Sequence, residues 1–405
     1  MGAGRILPAH LRGYQLLREA GFDRFRITAL TSRSRRDAES YIHRDREPAP
    51  RRPVSSQPAD PLSVADVFVS DFQNASDVRV FDTLEELLAS DTVDALDITA
   101  TLSVHHTAAL AGIRAGKHCL IQKPLAISVA AGRRVVDEAR RQGVSLGVTE
   151  NVRYAPNVRM ARWLIDQGYL GEVQMLAYWS IGTAEWSPDL VVAETPWRHR
   201  KLEGGAGASL DIGVHLLHHL RYVAGDIDSI QAVTRTFEPT RHVRGAAARI
   251  ACDVDDAFFA TIAFASGAVA QLAFSWAGHG VPTTMPGGPA IYGSRGSLKG
   301  GTLTFDDGST LAAADLFGEK ADPHTVERFF PRGLRDTFSL GFHDFLSAID
   351  AGRDPEASGR EGLADLAAAY GIAESATLGH PVSVRDVLEG RVRAYQADID
   401  RHYDL

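Results

Sequence analysis

The stretch VDALDITATLSVHHTAALAGIRAGKHCLIQKPLAISVAAGRRVVDEARRQGVSLGVT, residues 93–149, decides the fold of the first part of the chain. Apolar runs bounded by short turns predict three strands in it, at Val93–Ala100, His118–Gln122 and Val144–Thr149. Helical periodicity predicts two helices between them, His105–Ala115 and Ser128–Gln142, each followed by a glycine suited to a C-cap. Because strands and helices alternate with short links, we expect a parallel sheet with helices on both faces.

The segment before this stretch continues the pattern but contains one unusual insert. Helices are predicted at Gly13–Gly21 and at Thr83–Ser90, where Thr83 and Glu86 fit a capping box, and a strand is predicted at Phe25–Thr31. Residues 41–77 hold five prolines, which forbid a regular helix or a central strand: Pro48, Pro50, Pro53, Pro58 and Pro61. We therefore expect residues 41–77 to form a surface insert within the first domain.

Beyond Asn151 the pattern changes to strands separated by turns. The predicted strands are Val173–Trp179, Ile230–Phe237, Ala257–Ala265 and Val269–Trp276. Helices that would cover one face of their sheet are predicted at Asn157–Gln167, Ser209–Val223 and Leu340–Ala351. The sequence thus predicts an α/β protein of two domains. Residues 1–150 form a Rossmann-like parallel sheet domain, and residues 151–405 form an α+β domain with a large, mainly antiparallel sheet.

Composition and charge exclude several classes of function. The 405 residues carry a formal net charge of −8 at pH 7, and the pI is about 6.0. The sequence thus lacks the basic face that nucleic acid or an anionic membrane surface requires. No stretch approaches the ~20 apolar residues of a membrane span. The two cysteines, Cys119 and Cys252, lie in apolar runs and cannot build a disulfide framework. We expect a cytoplasmic protein.

The N-terminus offers a candidate phosphate-binding turn. Gly2-x-Gly4 precedes a predicted helix, where small residues let backbone amides approach a pyrophosphate at the helix N-terminus; the turn comprises Gly2, Gly4, Arg5 and Ile6. Leu7 replaces the third glycine of the fingerprint, and the strand that should lead into the turn is absent. We interpret that absence as a misassigned start or a truncated product, and a flexible glycine-bearing N-terminus is the alternative reading of the turn.

The residues after the strand at Phe25–Thr31 bear on the choice of cofactor. NAD-specific folds usually place an acidic residue at this strand end to bind the ribose 2′-hydroxyl. Here the residues are Ser32-Arg33-Ser34-Arg35-Arg36, with no carboxylate before Asp37. Arginines and hydroxyls suit a 2′-phosphate, so we favour NADP over NAD, with a solvated basic helix start as the alternative.

Three further residues are candidates for the chemistry. Lys123 directly follows a buried-looking strand, at the edge of the sheet where ligands bind in such folds. Asp211 and His215 are four residues apart in a predicted helix after a glycine-rich loop, so the carboxylate would orient the imidazole as a general base. A surface lysine and a structural histidine are the alternatives. A metal site formed by Asp211, His215 and His218 is disfavoured, because no second ligand cluster accompanies them.

Together these motifs resemble the glucose–fructose oxidoreductase/inositol dehydrogenase (Gfo/Idh/MocA) family. The likeness also includes Ala115-Gly116-Lys117-His118, Gln122-Lys123-Pro124 and Tyr292–Leu298. It implies that His215 is the acid/base, assisted by Lys123 and Asp211. It further implies cofactor contacts and substrate contacts: Thr101, His105, Gln122, Lys123 and Asn151 for the cofactor, and Arg153, Tyr154, Trp197, Arg198 and His199 for the substrate. Gln122 stands where the family usually has glutamate.

The resemblance implies an NAD(P)-dependent oxidoreductase for a polyhydroxylated small molecule such as a sugar or cyclitol. It also implies a homodimer or homotetramer formed through the open sheet of the second domain. This function requires Lys123, Asp211 and His215 to converge beside one nicotinamide. Two alternatives remain: a hydrolase or epimerase that recycles its own cofactor, and a ligand-sensing homologue without turnover.

Overall fold

The computed structural model describes residues 1–44, 53, 55, 61–182, 195–242 and 249–405. The chain divides into two compact units. The first comprises Met1–Leu125, Gly132–Ala155 and Pro323–Gly362, and the second comprises Ala126–Ala131, Pro156–Asp322 and Leu363–Leu405. The chain thus leaves the first unit close to the predicted boundary at 150, but it returns there for about forty residues, which a single boundary does not describe.

The first unit has the predicted alternation of strands and helices. In chain order its elements are α1 Leu7–Glu19, β1 Ala29–Thr31, α2 Arg35–Glu39, β2 Arg79–Phe81, α3 Leu84–Ala89, β3 Ala95–Ile98, α4 Leu102–Arg114, β4 His118–Gln122, α5 Val129–Gln142 (whose first turn belongs to the second unit) and β5 Leu146–Thr149. Thr83 caps α3 as predicted, since its side chain accepts a hydrogen bond from the Glu86 amide. α1 begins six residues before the predicted helix, because Pro8 is well tolerated in a first helical turn.

The named strands in the described part of this unit pair in parallel, which confirms the predicted Rossmann-like character. β1 pairs with β2, while β3, β4 and β5 form a separate three-stranded sheet. Met1 and Gly2 lie between the two sheets: the Gly2 amide donates to Thr31 O at 2.8 Å, and the Thr99 amide donates to Met1 O at 2.8 Å. These two residues stand where the first strand of a Rossmann sheet would run.

Two expectations about this unit are corrected by its packing. The described ends of the 41–77 insert are not wholly at the surface, because Tyr41, Val67 and Val69 are buried in one cluster with Leu11. Most of the central part of the insert lies outside the described residues. The helix predicted at 340–351 does not cover the second sheet. It runs from Thr337 to Ala351 (α12 below) and packs on α1 in the first unit, where Phe342 stacks on Tyr14 with ring centroids 4.3 Å apart.

The second unit is built on one large, mainly antiparallel sheet. Its remaining elements and those that follow in the chain are α6 Pro156–Asp166, β6 Val173–Ile181, α7 Lys201–Gly204, α8 Ala208–Asp211, α9 Gly213–Ala224, β7 Ile227–Arg235, β8 Thr240–His242, β9 Arg249–Ala251, β10 Ala257–Phe264, β11 Val269–Ser275, β12 Thr283–Thr284, β13 Ala290–Gly293, β14 Gly296–Lys299, β15 Thr302–Phe305, β16 Thr310–Ala312, α10 Ala313–Lys320, α11 Pro323–Phe329, α12 Thr337–Ala351, α13 Gly359–Leu378, β17 Val382–Ser383, α14 Val384–Leu388 and α15 Ala397–His402. The sheet order is β16-β15-β14-β13-β6-β11-β10-β7-β17, and the β6–β11 pair is its parallel exception among the described strands.

The two faces of this sheet differ in burial. Ile230, Phe258 and Leu272 point to the buried face. Helix α13 packs closely on this face, because a Cβ added to its Gly371 would lie only 3.2 Å from Ile230 Cδ1. The opposite face exposes apolar side chains. Phe259 pairs with Val233 on one side and with Ala273 on the other, and Ala273 pairs with Trp179. Among the described residues, no helix is long and apolar enough to cross a membrane.

Candidate active site

The glycine turn at the N-terminus, Gly2–Gly4, differs at its two glycines in the space that a side chain would find. Gly2 has φ of +100°, and a Cβ there would lie 2.8 Å from the carbonyl carbon of Thr99, so only glycine fits. A Cβ on Gly4 would meet no atom within 4 Å, which leaves open space over the start of α1. Residues present here therefore fit a pyrophosphate at a helix N-terminus. Ile6 is the N-cap residue, and Arg5 Nη2 lies 3.4 Å from Pro53 O.

The three arginines that follow β1 are all exposed: Arg33, Arg35 and Arg36. Ser34 Oγ caps α2 by accepting from the Asp37 amide at 3.2 Å. Arg35 forms ion pairs with Glu39 at 2.9 Å and with Asp82 at 3.2 Å. Arg33 is exposed directly after Ser32, at the position predicted to meet the adenosine ribose.

The loops after β3 and β4 are joined by a buried histidine. His105 Nδ1 lies 2.8 Å from Pro124 O, and its Nε2 lies 3.1 Å from Ala100 O. Burial lowers the pKa of His105, although the two carbonyl contacts oppose the shift. The neutral ring has one N–H and donates it to one of these two carbonyls, while the predicted contact of His105 with the cofactor stays a prediction. Thr101 occupies the N-cap position of α4.

Lys123 is connected through Gln122 to two polar side chains that the sequence analysis did not single out, His10 and Asp97. The Lys123 amide donates to Gln122 Oε1 at 2.7 Å, and Gln122 Nε2 lies 3.3 Å from His10 Nε2. His10 Nδ1 in turn lies 2.8 Å from Asp97 Oδ2. The sequence signal that could have found this set was Asp97, a carboxylate within the otherwise apolar strand Ala95–Ile98, because a buried charge requires a partner.

The predicted Asn-x-Arg-Tyr segment forms a 3-10 turn at Asn151–Tyr154, and its side chains have partners within the first unit. Asn151 Nδ2 donates to Thr337 Oγ1 at 3.3 Å. Tyr154 is only 2% exposed, and its hydroxyl donates to Asp344 Oδ2 at 3.0 Å. Arg153 lies between two carboxylates, 3.6 Å from that of Glu356 and 3.8 Å from that of Glu361. Within the first unit both side chains contact protein groups, and the substrate contacts predicted for Arg153 and Tyr154 stay predictions.

In the second unit the segment before the glycine loop meets a predicted catalytic carboxylate. Trp197, Arg198 and His199 lie in the 3-10 turn Pro196–His199. The Arg198 guanidinium covers the Trp197 ring at 4.4 Å, and its Nε donates to Asp211 Oδ2 at 3.2 Å. His199 is buried, with its ring in an edge contact 5.8 Å from that of Trp276. Arg198 and Asp211 are therefore brought together, whereas His199 belongs to the core.

The glycine loop is held by a buried carboxylate from a distant strand connection. Asp255 accepts hydrogen bonds from the Gly207 amide at 3.0 Å, the Ser209 amide at 2.7 Å and the Ser209 hydroxyl at 2.7 Å. A Cβ on Gly207 would lie 1.7 Å from Asp255 O, so the loop requires glycine there. Burial raises the pKa of Asp255 to about 6, although these three hydrogen bonds oppose the shift. The sequence analysis missed Asp255.

The helix predicted at 209–223 is broken in the structure. α8 ends at Asp211 and α9 begins at Gly213, so Asp211 and His215 lie on two helical segments joined at Ile212. The described contact of the Asp211 carboxylate is with Arg198, and its pairing with His215 stays a prediction. His218 is engaged elsewhere, because its Nδ1 lies 2.7 Å from Asp365 Oδ2. Within the described ranges no cluster of three His, Cys, Asp or Glu side chains could hold a metal ion.

The candidate catalytic residues are divided between the units. Lys123 belongs to the first, and Asp211 and His215 belong to the second. Their convergence at one nicotinamide therefore remains a prediction of the sequence analysis.

Family models match most of the chain. The model described as an oxidoreductase family with an NAD-binding Rossmann fold matches residues 1–150. The model described as the GFO/IDH/MocA C-terminal domain matches residues 158–299.

Named relatives and solved structures agree with these matches. The 1,5-anhydro-D-fructose reductase of Ensifer adhaerens is 31% identical over 304 residues, covering 74% of this chain and 83% of the reductase. Levoglucosan dehydrogenase of Pseudarthrobacter phenanthrenivorans is 26% identical over 310 residues, covering 70% of this chain and 78% of that enzyme. A structure of levoglucosan dehydrogenase in complex with NADH and levoglucosan has a TM-score of 0.72 at 22% identity, covering 95% of this chain and 97% of the other. At that identity the structural likeness establishes the fold.

Proposed function

The chain belongs to the Gfo/Idh/MocA oxidoreductase family, and from this premise we propose that it is an NAD(P)-dependent dehydrogenase of a sugar, cyclitol or related polyol. The observation that carries the proposal is the match of both family models to a chain that retains Lys123, Asp211 and His215. The named relatives, a reductase of an anhydro sugar and a dehydrogenase of levoglucosan, support the substrate class.

The proposed chemistry divides one oxidation among these side chains. When bound, the nicotinamide supplies the hydride acceptor for the carbon that carries the reacting hydroxyl. His215 takes the hydroxyl proton as general base, and the Lys123 ammonium stabilises the developing alkoxide. Asp211 orients His215 and is itself held by Arg198 at 3.2 Å. In the reverse direction His215 returns the proton to the carbonyl oxygen.

The ion pairs of the two predicted substrate-side arginines support an uncharged substrate. Arg198 is paired with Asp211, and Arg153 lies between Glu356 and Glu361. Protein carboxylates thus already compensate the charge of both guanidinium groups, so a substrate carboxylate would gain less attraction from them than from arginines without such partners. Hydroxyl groups of a neutral polyol, in contrast, can accept from the remaining guanidinium N–H groups without breaking the pairs. We therefore expect neutral sugars and cyclitols to be better substrates than sugar acids.

We further propose NADP as the preferred cofactor. Arg33 is exposed beside Ser32 at the end of β1, where a guanidinium can pair with a ribose 2′-phosphate. Arg35 is less suited to this role, because Glu39 and Asp82 already compensate its charge.

The open sheet of the second unit supports a homodimer or homotetramer. Trp179 and Phe259 are both about 40% exposed on its outer face and contact each other edge to face with centroids 6.5 Å apart. Met175, Val233 and Tyr292 extend the same apolar face. A contiguous apolar face of this kind is characteristic of protein–protein interfaces. We also propose a cytoplasmic location, which the unbridged, buried thiols of Cys119 and Cys252 support.

A dehydrogenase screen tests the proposal. The protein is incubated with NAD⁺ or NADP⁺ and a panel of neutral sugars, cyclitols and sugar acids, and formation of the reduced nicotinamide is followed by absorbance. His215→Ala should lower kcat by about 10²–10⁴-fold while leaving cofactor affinity nearly unchanged. An unimpaired His215→Ala enzyme would contradict the assigned role. Turnover that needs no added nucleotide would favour the cofactor-recycling hydrolase or epimerase, and binding without turnover would favour a sensor.

A further inference from the structure

A chain of polar side chains connects β3, α1 and the end of β4 within the first unit. Asp97 Oδ2 accepts hydrogen bonds from His10 Nδ1 at 2.8 Å and from the Tyr14 hydroxyl at 3.1 Å. His10 Nε2 lies 3.3 Å from Gln122 Nε2, and Gln122 Oε1 accepts from the Lys123 amide at 2.7 Å. This series of hydrogen-bonded groups thus begins at the Asp97 carboxylate and ends at the backbone of Lys123.

The direction of each hydrogen bond follows from the two ends. Gln122 Oε1 faces the Lys123 N–H, so the amide NH₂ of Gln122 faces His10. Because an NH₂ group can only donate, His10 Nε2 has to be the acceptor. The single ring proton of His10 then resides on Nδ1, from which it is donated to Asp97. An imidazolium at this position would set two N–H donors against each other.

The His10 ring is buried among aromatic side chains. Its side chain is 0% exposed, and the rings of Phe338 and Phe342 lie 5.2 Å and 5.1 Å from it. The charged groups facing this site are Asp97 and the Met1 amine, which donates to Asp97 O at 2.5 Å. Two donors, the N–H of His10 Nδ1 and the Tyr14 hydroxyl, converge on Asp97 Oδ2, as an acceptor-only carboxylate oxygen requires. An ionised Asp97 therefore accepts the Nδ1 proton.

We propose that Asp97, His10 and Gln122 position Lys123, and that this device requires an amide at 122 and a neutral His10 protonated on Nδ1. The proposal rests on the function proposed above for Lys123. A glutamate at 122 would set a carboxylate oxygen against the lone pair of His10 Nε2. It would have to draw a second proton onto His10, and it would add a negative charge beside the Lys123 ammonium. Gln122 connects His10 to the Lys123 backbone without adding a negative charge and without requiring a second proton on His10.

The tautomer can be measured without any assumption about activity. Histidine labelled with ¹⁵N gives distinct signals for the two neutral tautomers and for imidazolium, and a His10→Gln variant assigns the His10 signals. We expect neutral His10 protonated on Nδ1 in the wild-type protein and imidazolium in Gln122→Glu. Gln142→Glu, which adds the same charge at an exposed position of the same unit, should leave the His10 signals unchanged. A wild-type His10 that is charged, or protonated on Nε2, would overturn the proposal.

A double variant tests the direction of the chain. In Asp97→Asn combined with Gln122→Glu, an amide can donate to His10 Nδ1 and a carboxylate can accept from Nε2–H, so the polarity is reversed and His10 is again neutral. We expect Gln122→Glu to lower kcat about tenfold or more, and the double variant to recover much of that loss, since the two sites are coupled through one ring.

Additive losses in the double variant would refute the coupling, even if each single variant is impaired. If no substrate is found, the function proposed above fails, yet the His10 signals and the Lys123 backbone amide signal still decide the inference. In that case Gln122→Glu has to shift the Lys123 amide signal while Gln142→Glu does not, and an unmoved Lys123 signal would refute the positioning role.

Discussion

The buried carboxylate of Asp255 predicts a specific pH dependence of stability. Its pKa rises from 3.8 to about 6 in the folded protein because burial outweighs the hydrogen bonds from Gly207 and Ser209. The folded protein therefore holds this proton more tightly than the unfolded chain. The proton adds stability below the unfolded pKa, and that gain is lost as the pH rises through about 6. A difference from 3.8 to about 6 corresponds to ~3 kcal/mol in total.

Asp255→Asn isolates this contribution. Asparagine cannot ionise, but it offers one oxygen where Asp255 uses two, so we expect a loss of about 1–3 kcal/mol at low pH. Only the wild-type protein carries the Asp255 proton and loses it as the pH rises. The free energy of unfolding of the wild type relative to Asp255→Asn should therefore fall by ~2 kcal/mol between about pH 4 and about pH 8. Urea denaturation of both proteins at the two pH values measures the difference, and Asp228→Asn, at an exposed position of β7, is the matched control.

Local exchange provides a second measurement where unfolding of the whole chain is not two-state. The amides of Gly207 and Ser209 donate to Asp255, so hydrogen exchange in the 207–211 segment should be faster in Asp255→Asn at low pH, relative to the intrinsic rate. A stability difference of the same size at both pH values, with unchanged exchange in this segment, would refute the assignment of a buried, proton-binding Asp255.

Three further predictions concern the cofactor and the oligomer. Gly4→Ala should keep the thermal stability but weaken NAD(P)H binding measured by calorimetry, because the added methyl group enters open space. Gly2→Ala should lower both the stability and the binding, since its Cβ would lie 2.8 Å from Thr99. Equal losses of stability in the two variants would contradict this distinction. Arg33→Ala should lower the ratio of kcat/KM for NADP to that for NAD by about 10–100-fold, as expected for a lost charged hydrogen bond, and an unchanged ratio would place the 2′-phosphate elsewhere. Trp179→Glu should reduce the mass measured by sedimentation velocity, because it puts a charge on the exposed apolar face; an unaltered assembly would mean that this face is not the interface.

The fold could be predicted closely where the pattern is local. β4 at His118–Gln122 has the predicted bounds, and α5 differs by one residue, because apolar runs and glycine caps determine such elements within a few residues of sequence. The break at Ile212 was missed, since Asp211 and His215 have ordinary helical spacing in the sequence. The helix at Thr337–Ala351 was assigned to the wrong unit, because an amphipathic helix does not specify which core will bury its apolar face.

The candidate site shows the same division. Lys123, Asp211 and His215 could be named from motifs, because each stands in a short segment whose residue types carry the chemistry. Their supports could not be named in this way. Asp255 is 46 residues from Ser209, and Asp97 is 87 residues from His10, so no local pattern connects them.

By itself the sequence determined the oxidoreductase family, the two kinds of sheet and the residues proposed for the chemistry, because these depend on periodicity and on motifs contained in short segments. Only the tertiary structure decided which partners hold those residues: Arg198 on Asp211, Asp255 under the glycine loop, and His10 between Asp97 and Gln122. The physical reason is that a buried polar group has to be paired, and the fold alone decides which distant group comes within hydrogen-bonding distance.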